Sequence, residues 1–162
     1  MKKPLFAIFV ICLFVAGTLA GYNILLSNEP EETTPDVSKE KQNIEIKTGQ
    51  RSVILNVEVA DTDEEHEKGL MNRTELDENS GMLFVFTNEN VRTFWMKDTL
   101  ISLDMIFISS DGTIVNIAKN TQPNQIEERY SSEDPVKYVL EVNGGWSDKN
   151  GVKKGDSVII EL

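Results

Sequence analysis

Three short runs of strand-forming residues lie between positions 81 and 107, and two of them contain charged residues. Residues 81–86 are uninterrupted, whereas the second run includes Lys97 and Asp98 and the third includes Asp104. A charge buried without a partner costs several kcal/mol or more, so it must be paired or must line a cavity. These three charged residues therefore constrain the fold and are the first candidates for a functional site.

Short apolar or alternating runs continue through the chain from Ile44 onward. Together they predict about eight strands, near residues 44–46, 53–59, 82–87, 92–97, 103–109, 113–117, 136–142 and 158–160. Most connections are too short for the crossover that a parallel pair needs. The predicted fold is therefore mostly β, a compact antiparallel sandwich or barrel.

Local signals add one or two short helices and a tight turn to this sheet. Residues 62–65 match a capping box and open a helix that Gly69 closes. A second short helix is predicted near residues 146–150. Asp111-Gly112 predicts a two-residue hairpin loop between two strands.

The N-terminal region has the composition of a membrane segment followed by a spacer. Lys2 and Lys3 precede an apolar stretch over residues 5–26, which is long enough to cross a bilayer as a helix. The stretch is longer than a signal peptide needs, which favours an uncleaved anchor, although cleavage after Ala20 would release a secreted protein. The predicted organisation is a signal-anchor or signal peptide over 1–26, a disordered acidic linker over 27–43 and a single β domain over 44–162. Because the lysines remain cytoplasmic, the domain is expected to be extracytoplasmic.

Composition excludes several functional classes. The formal net charge of -11 opposes binding to nucleic acid. Cys12 is the only cysteine and His66 the only histidine, so the chain lacks the ligands for a disulfide, a thiolate metal site or a multi-histidine zinc site. The four methionines between positions 71 and 105 are interpreted as core filling rather than as a copper site. No metal and no cofactor is expected.

Two sets of side chains remain as candidates for chemistry. On a strand, Trp95 and Lys97 share one face. Either both line a cleft, or Trp95 fills the core while Lys97 extends its charged end into solvent. Asp98, Asp104 and Glu141 are carboxylates in apolar surroundings. Two of them could act as general acid and base, or each could pair with Arg73, with Lys97 or with backbone N–H groups. Lys97, Asp98 and Asp104 are expected to form one polar cluster beside Trp95.

Several of these stretches occur in an order that resembles a known family. They are residues 69–73, 81–86, 94–99, 103–107, 111–112, 138–141, 144–146 and 155–156. Taken together they resemble domain-of-unknown-function family 192, an uncharacterised family of bacteria and archaea. The family usually has asparagine where this chain has Asp98.

The resemblance implies a compact, mostly antiparallel β fold with a small helical part, often behind a signal or anchor segment, and it implies no activity. The residues that match its motif positions are Arg73, Trp95, Lys97, Asp104, Glu141 and Trp146.

Three hypotheses for the function follow. The first is a membrane-tethered extracytoplasmic β domain that binds an envelope ligand or protein partner and has no catalysis of its own. The second is a carboxylate-dependent hydrolase of cell-envelope material. The third is a structural or assembly component of an envelope complex.

Overall fold

A computed structural model describes residues 41–49 and 51–162 of the chain. The described part contains nine strands and two short helices. The strands are β1 (Gln42–Lys47), β2 (Ser52–Ala60), β3 (Ser80–Asn90), β4 (Thr93–Phe94), β5 (Leu103–Ile108), β6 (Ile114–Ala118), β7 (Tyr130–Ser131), β8 (Val136–Asn143) and β9 (Ser157–Ile159). The helices are α1 (Asp63–Lys68) and α2 (Trp146–Asn150). The mostly β fold is confirmed.

Seven of the strands form one curled, half-barrel sheet in the order β6-β5-β8-β3-β2-β1-β9, and β4 pairs with β7 separately. All neighbours in the large sheet are antiparallel except β2 and β3, which are parallel. The predicted antiparallel sheet therefore has one exception. The connection over residues 61–79, which includes α1, is long enough to make that crossover.

The two edges of the large sheet meet at one end. Thr113 bridges to Ser157, the Ile114 amide donates to the Asp156 carbonyl at 2.9 Å, and the Val158 amide donates to the Gly112 carbonyl at 2.8 Å. This contact curls the sheet, so that one face encloses a core and the other face carries loops.

Each face of the sheet has its own hydrophobic core. The inner-face core contains Ile44, Ile46, Leu55, Val57, Leu83, Ile106, Ile108, Ile114, Leu140, Val142, Trp146, Val152 and Val158. The outer-face core contains Ala60, Leu70, Met82, Phe84, Met96, Leu103, Met105, Phe107, Val136 and Val139. Because strand residues alternate between faces, every second residue of β5 (Leu103, Met105 and Phe107) belongs to the outer core, and β8 contributes residues to both cores. Burial on both faces explains why these strands read as near-continuous apolar runs.

The predicted capping box and its helix are confirmed. The Thr62 hydroxyl accepts from the Glu65 amide, and the Glu65 carboxylate accepts from the Thr62 amide. Gly69 ends α1 with a positive φ of 45°. The second predicted helix is present as α2.

Two local predictions differ from the structure. The predicted strand over 92–97 is reduced to Thr93–Phe94, because the Met96 amide donates to the Gln125 carbonyl of a loop. The β5–β6 connection holds five residues, 109–113, rather than two. The Gly112 amide closes the turn by donating a hydrogen bond to the Ser109 carbonyl, and Gly112 has a φ of 85°.

The predicted anchor over 5–26 lies outside the described residues. Of the helices within 41–49 and 51–162, neither has the length and apolar character to cross a bilayer. β1 begins at Gln42, two residues before the predicted start of the domain at Ile44.

Candidate functional site

Five side chains form a row across the outer face of the large sheet. The row follows the strand register from β2 through β3, β8 and β5 to β6, and it consists of Glu58, Met82, Glu141, Met105 and Ala118. Neighbouring strands lie about 4.8 Å apart, so each side chain adjoins the next. Glu141 therefore stands between two methionines in the middle of the sheet.

Glu141 is a buried acid without a partner. The residue is 4% exposed, and its carboxyl makes no hydrogen bond or ion pair with any residue that the structure describes. Burial raises the pKa of Glu141 to about 8, because transfer out of water penalises the charged form. At neutral pH the side chain is mainly a neutral carboxylic acid, which can donate one hydrogen bond and accept others.

The Glu141 carboxyl is nevertheless not fully enclosed. In the described part of the chain, the polar side-chain atoms that are both fully enclosed and unpartnered are Arg92 Nε, Trp146 Nε1 and Ser147 Oγ. The unpartnered oxygens of Glu141 are not among them, so they retain some contact with solvent. Its neighbour Met82 is also slightly open, at 8% exposure. Glu141 and Met82 are therefore almost, but not completely, enclosed.

Two segments cover this part of the outer face, residues 69–79 and 95–102. The Asn143 side-chain amide, two residues beyond Glu141 on the same face, donates to the Leu76 carbonyl at 2.9 Å. The Asn72 amide donates to the Asp98 carbonyl at 2.7 Å and joins the two segments. These hydrogen bonds fix the covering segments to each other and to the end of β8.

Arg73 pairs with Glu58 rather than with any of the predicted carboxylates. Its two terminal nitrogens donate to the two Glu58 oxygens at 2.9 and 2.5 Å, and this hydrogen-bonded pairing raises the pKa of Arg73. Sequence reasoning missed Glu58, although the signal was present. Glu58 lies between two valines in a strand, the same context that drew attention to Glu141.

Asp104 lies on the inner face of the sheet, opposite to Glu141. One of its oxygens accepts from the Asn120 and Gly145 amides at 2.8 and 2.9 Å, and the other accepts from the Ser147 amide at 2.9 Å. Asp104 thereby holds the first turn of α2 against β5. Trp146, in the same turn, is buried in the inner core.

The remaining predicted site residues lie on the exposed part of the covering segment 95–102. Trp95 is 40% exposed, with Lys97 Nζ at 5.3 Å and Arg129 Cζ at 5.1 Å from the centre of its ring. Asp98 is exposed and has a positive φ of 52°. The expected single cluster of Lys97, Asp98 and Asp104 is not formed, because Asp104 points to the opposite face of the sheet from these loops.

No group of three or more His, Cys, Asp or Glu side chains within residues 41–49 and 51–162 is arranged to hold a metal ion. The outer-face site thus consists of one neutral acid, two thioethers, a neighbouring Arg–Glu ion pair and an exposed tryptophan at some distance along the covering loops.

The sequence profile of domain-of-unknown-function family 192, described as "Uncharacterized ACR", matches residues 44–160. The chain belongs to this family. The match includes every residue of the Glu58–Ala118 row and both covering segments. The resemblance stated from the sequence motifs is confirmed.

Two solved structures are similar to this chain. One is from Sinorhizobium meliloti 1021 and is called a "putative transcription regulator"; it is 40% identical with a TM-score of 0.73, over 76% of this chain and 96% of that chain. The other is a protein of unknown function from Novosphingobium aromaticivorans DSM 12444, 37% identical with a TM-score of 0.72, over 74% of this chain and 85% of that chain. No functionally curated protein matches the chain.

Proposed function

We propose that this family member is a membrane-tethered extracytoplasmic domain that binds a small ligand, or a side chain of a partner, at Glu141. One observation carries the proposal: the Glu141 carboxyl is buried between Met82 and Met105, has no partner among the described residues and is not fully enclosed. An incoming ligand would supply the missing hydrogen-bond partner.

The energetic argument for this proposal is the cost of keeping such a group. A buried polar side chain without a hydrogen bond destabilises a protein by about 1–3 kcal/mol, and an apolar side chain in the same place would remove that cost. Groups of this kind, with strongly perturbed pKa values and access to the surface, are concentrated at functional sites. Asp104, by contrast, has all the partners that a structural role requires.

The location in this proposal rests on the sequence of the first 43 residues. The apolar stretch over 5–26 would anchor the chain, and the polar linker over 27–43 would give the domain reach from the membrane surface. Protease added to intact cells tests the orientation: it should remove the domain without cell lysis, and a domain that remains intact until lysis would contradict the proposal.

A ligand screen with a matched variant tests the binding site. The full-length chain and its Glu141→Gln variant would be screened by thermal shift against sugars, peptidoglycan fragments and amines. Bound ligands raise the melting temperature by mass action. We expect at least one compound to stabilise the wild type by several degrees and the variant by much less. Compounds that stabilise both proteins equally would locate the binding site elsewhere.

A hydrolase of envelope material is a second candidate, because a different carboxylate pair shares the outer face. Glu58 and Glu141 are separated by one strand, so their backbones lie about 10 Å apart. A carboxylate and a neutral acid on one face are the groups that inverting glycoside hydrolysis uses. However, Arg73 occupies both Glu58 oxygens. Release of reducing ends from cell-wall glycan by the wild type, but not by Glu141→Gln, would favour this candidate over simple binding.

The description of the Sinorhizobium meliloti protein as a transcription regulator is not extended to this chain. A net charge of -11 opposes contact with the phosphate backbone, which supplies most of the affinity of DNA-binding proteins. A ligand-binding role agrees better with this charge.

A further inference from the structure

The surroundings of Glu141 restrict the chemistry of a ligand. Its neighbours in the row, Met82 and Met105, offer flexible apolar side chains and no strong hydrogen-bond donor. The cations that face the row are Arg73 and Lys41, and both lie against Glu58, one strand beyond Met82. The site therefore offers an acid but no cation with which that acid could pair.

Other charged groups around the site lie in the covering segments and are solvated. Glu75, Asp77, Glu78, Lys97 and Asp98 all belong to these segments and are exposed. From the strands on either side of β8, the side chains in register with Glu141 are the two methionines. A countercharge for ionised Glu141 must consequently come from outside the domain.

Near-complete burial of the site restricts the shape of such a cation. Only 4% of Glu141 and 8% of Met82 are accessible. A slender group therefore suits the site better than a broad planar or quaternary one, and flexible methionine side chains can adjust around it. A primary ammonium on a carboxylate makes short charge-assisted hydrogen bonds, which are roughly twice as strong as neutral ones.

We infer that the Glu141 site binds a primary ammonium group carried on a slender apolar stem, as in the side chain of a lysine. The ammonium would donate to the carboxylate, and the stem would lie against Met82 and Met105. This inference rests on the proposed binding function and names its ligand class. The net charge of -11 on the chain would favour the approach of cations.

Binding of such a cation is coupled to loss of a proton. Because the pKa of free Glu141 is about 8, the carboxyl must release its proton to solvent when the ammonium binds at lower pH. The apparent affinity should rise about tenfold per pH unit between about pH 6 and pH 8 and level off above that range. A neutral ligand that accepts from the protonated acid would show the opposite dependence.

The experiment compares n-butylammonium with 1-butanol, which has the same size and no charge. Calorimetric titrations of the full-length chain would be run from about pH 6 to pH 9, together with Glu141→Gln and with Glu75→Gln, which removes an exposed charge from a covering segment. We expect the wild type and Glu75→Gln to bind the ammonium with the rising profile and to release a proton. Glu141→Gln should lose the profile and most of the affinity.

Three results would overturn the inference. They are equal binding of 1-butanol and n-butylammonium, an ammonium affinity that Glu141→Gln leaves unchanged, and no ammonium binding at all. The thermal screen separates the two proposals. If compounds stabilise only the wild type and none of them is an amine, the binding function is supported and the ammonium ligand class is refuted. As a second arm, Nα-acetyl-lysine amide should bind and its Nζ-acetylated form should not.

Discussion

Asp104 and Glu141 interrupt apolar strands in the same way in the sequence, yet their side chains leave the sheet on opposite faces. Asp104 on β5 pairs with Val142 on β8, which is the residue after Glu141, so the two acidic side chains point to opposite faces. Three backbone amides satisfy Asp104, whereas Glu141 has only the two methionines beside it. The hydrogen-bonding environment, rather than the residue type, separates a structural acid from a candidate binding group.

Asp104→Asn should destabilise the domain by about 2 kcal/mol or more, although the change is nearly isosteric. An asparagine oxygen can replace only one carboxylate oxygen, so its NH₂ group would face an amide donor and leave that donor unpaired. Chemical denaturation measures the loss. Asp98→Asn is the matched control, because asparagine also tolerates the left-handed backbone there, and it should change stability by less than about 0.5 kcal/mol. Equal losses in the two variants would contradict this account of Asp104.

At the scale of elements, closure of the half-barrel depends on the β5–β6 turn. Gly112 combines a φ of 85° with a close approach to β9, since a Cβ on Gly112 would lie 2.4 Å from the Val158 carbonyl oxygen. The turn thereby holds β9, at one edge of the sheet, against the start of β6 at the other edge. Any side chain at this position forces the two edges apart.

Gly112→Ala should destabilise the domain more than Gly151→Ala, although both glycines have a positive φ. Gly151 has a φ of 70° and open space around its missing Cβ, so alanine there should cost only the backbone strain of about 1 kcal/mol. At Gly112 the clash with Val158 is added, and we expect a loss of about 3 kcal/mol. Hydrogen exchange should show faster exchange of the Val158 amide in Gly112→Ala alone. Similar losses in both variants would mean that closure contributes little.

The sequence predicted the elements with local signals and missed the pairings that depend on distant residues. The capping box predicted α1, and near-continuous apolar runs predicted β5 and β8. The parallel pairing of β2 with β3 depends on the crossover over 61–79. The capping box predicted the short helix in this segment, but it did not indicate that the segment joins two parallel strands. Around Met96 a strand was predicted but is not formed, because a loop carbonyl takes the place of a neighbouring strand.

The candidate site could be predicted only in part for the same reason. Glu141 was recognisable from its apolar context, but the face on which each acid lies depends on strand register. Glu58 became relevant only when β2 was placed beside β3. Of the alternatives offered for the three carboxylates, pairing with Arg73 is not formed, because Arg73 binds both oxygens of Glu58, whereas Asp104 accepts from backbone amides.

At the scale of the whole molecule, Glu141 makes stability depend on pH. Its pKa is about 4.5 in an unfolded chain and about 8 in the folded domain, so the folded state binds more protons between these values. The contribution is fully present below about pH 4.5 and is lost as pH rises through about 8. The free energy of unfolding should fall by up to about 1.4 kcal/mol per pH unit in this window. Relative to the wild type, Glu141→Gln should be less sensitive to pH, as measured by urea titrations across the window.

The titration of the Glu141 carboxyl is the most direct test, because both proposals depend on a buried acid that stays protonated at neutral pH. The ¹³C chemical shift of its side-chain carboxyl would be followed in the full-length chain from about pH 3 to pH 10, with assignment by Glu141→Gln. We predict a midpoint near 8, well separated from the exposed glutamates. A midpoint between about 4 and 5 would show a solvated or paired carboxylate and would contradict the account.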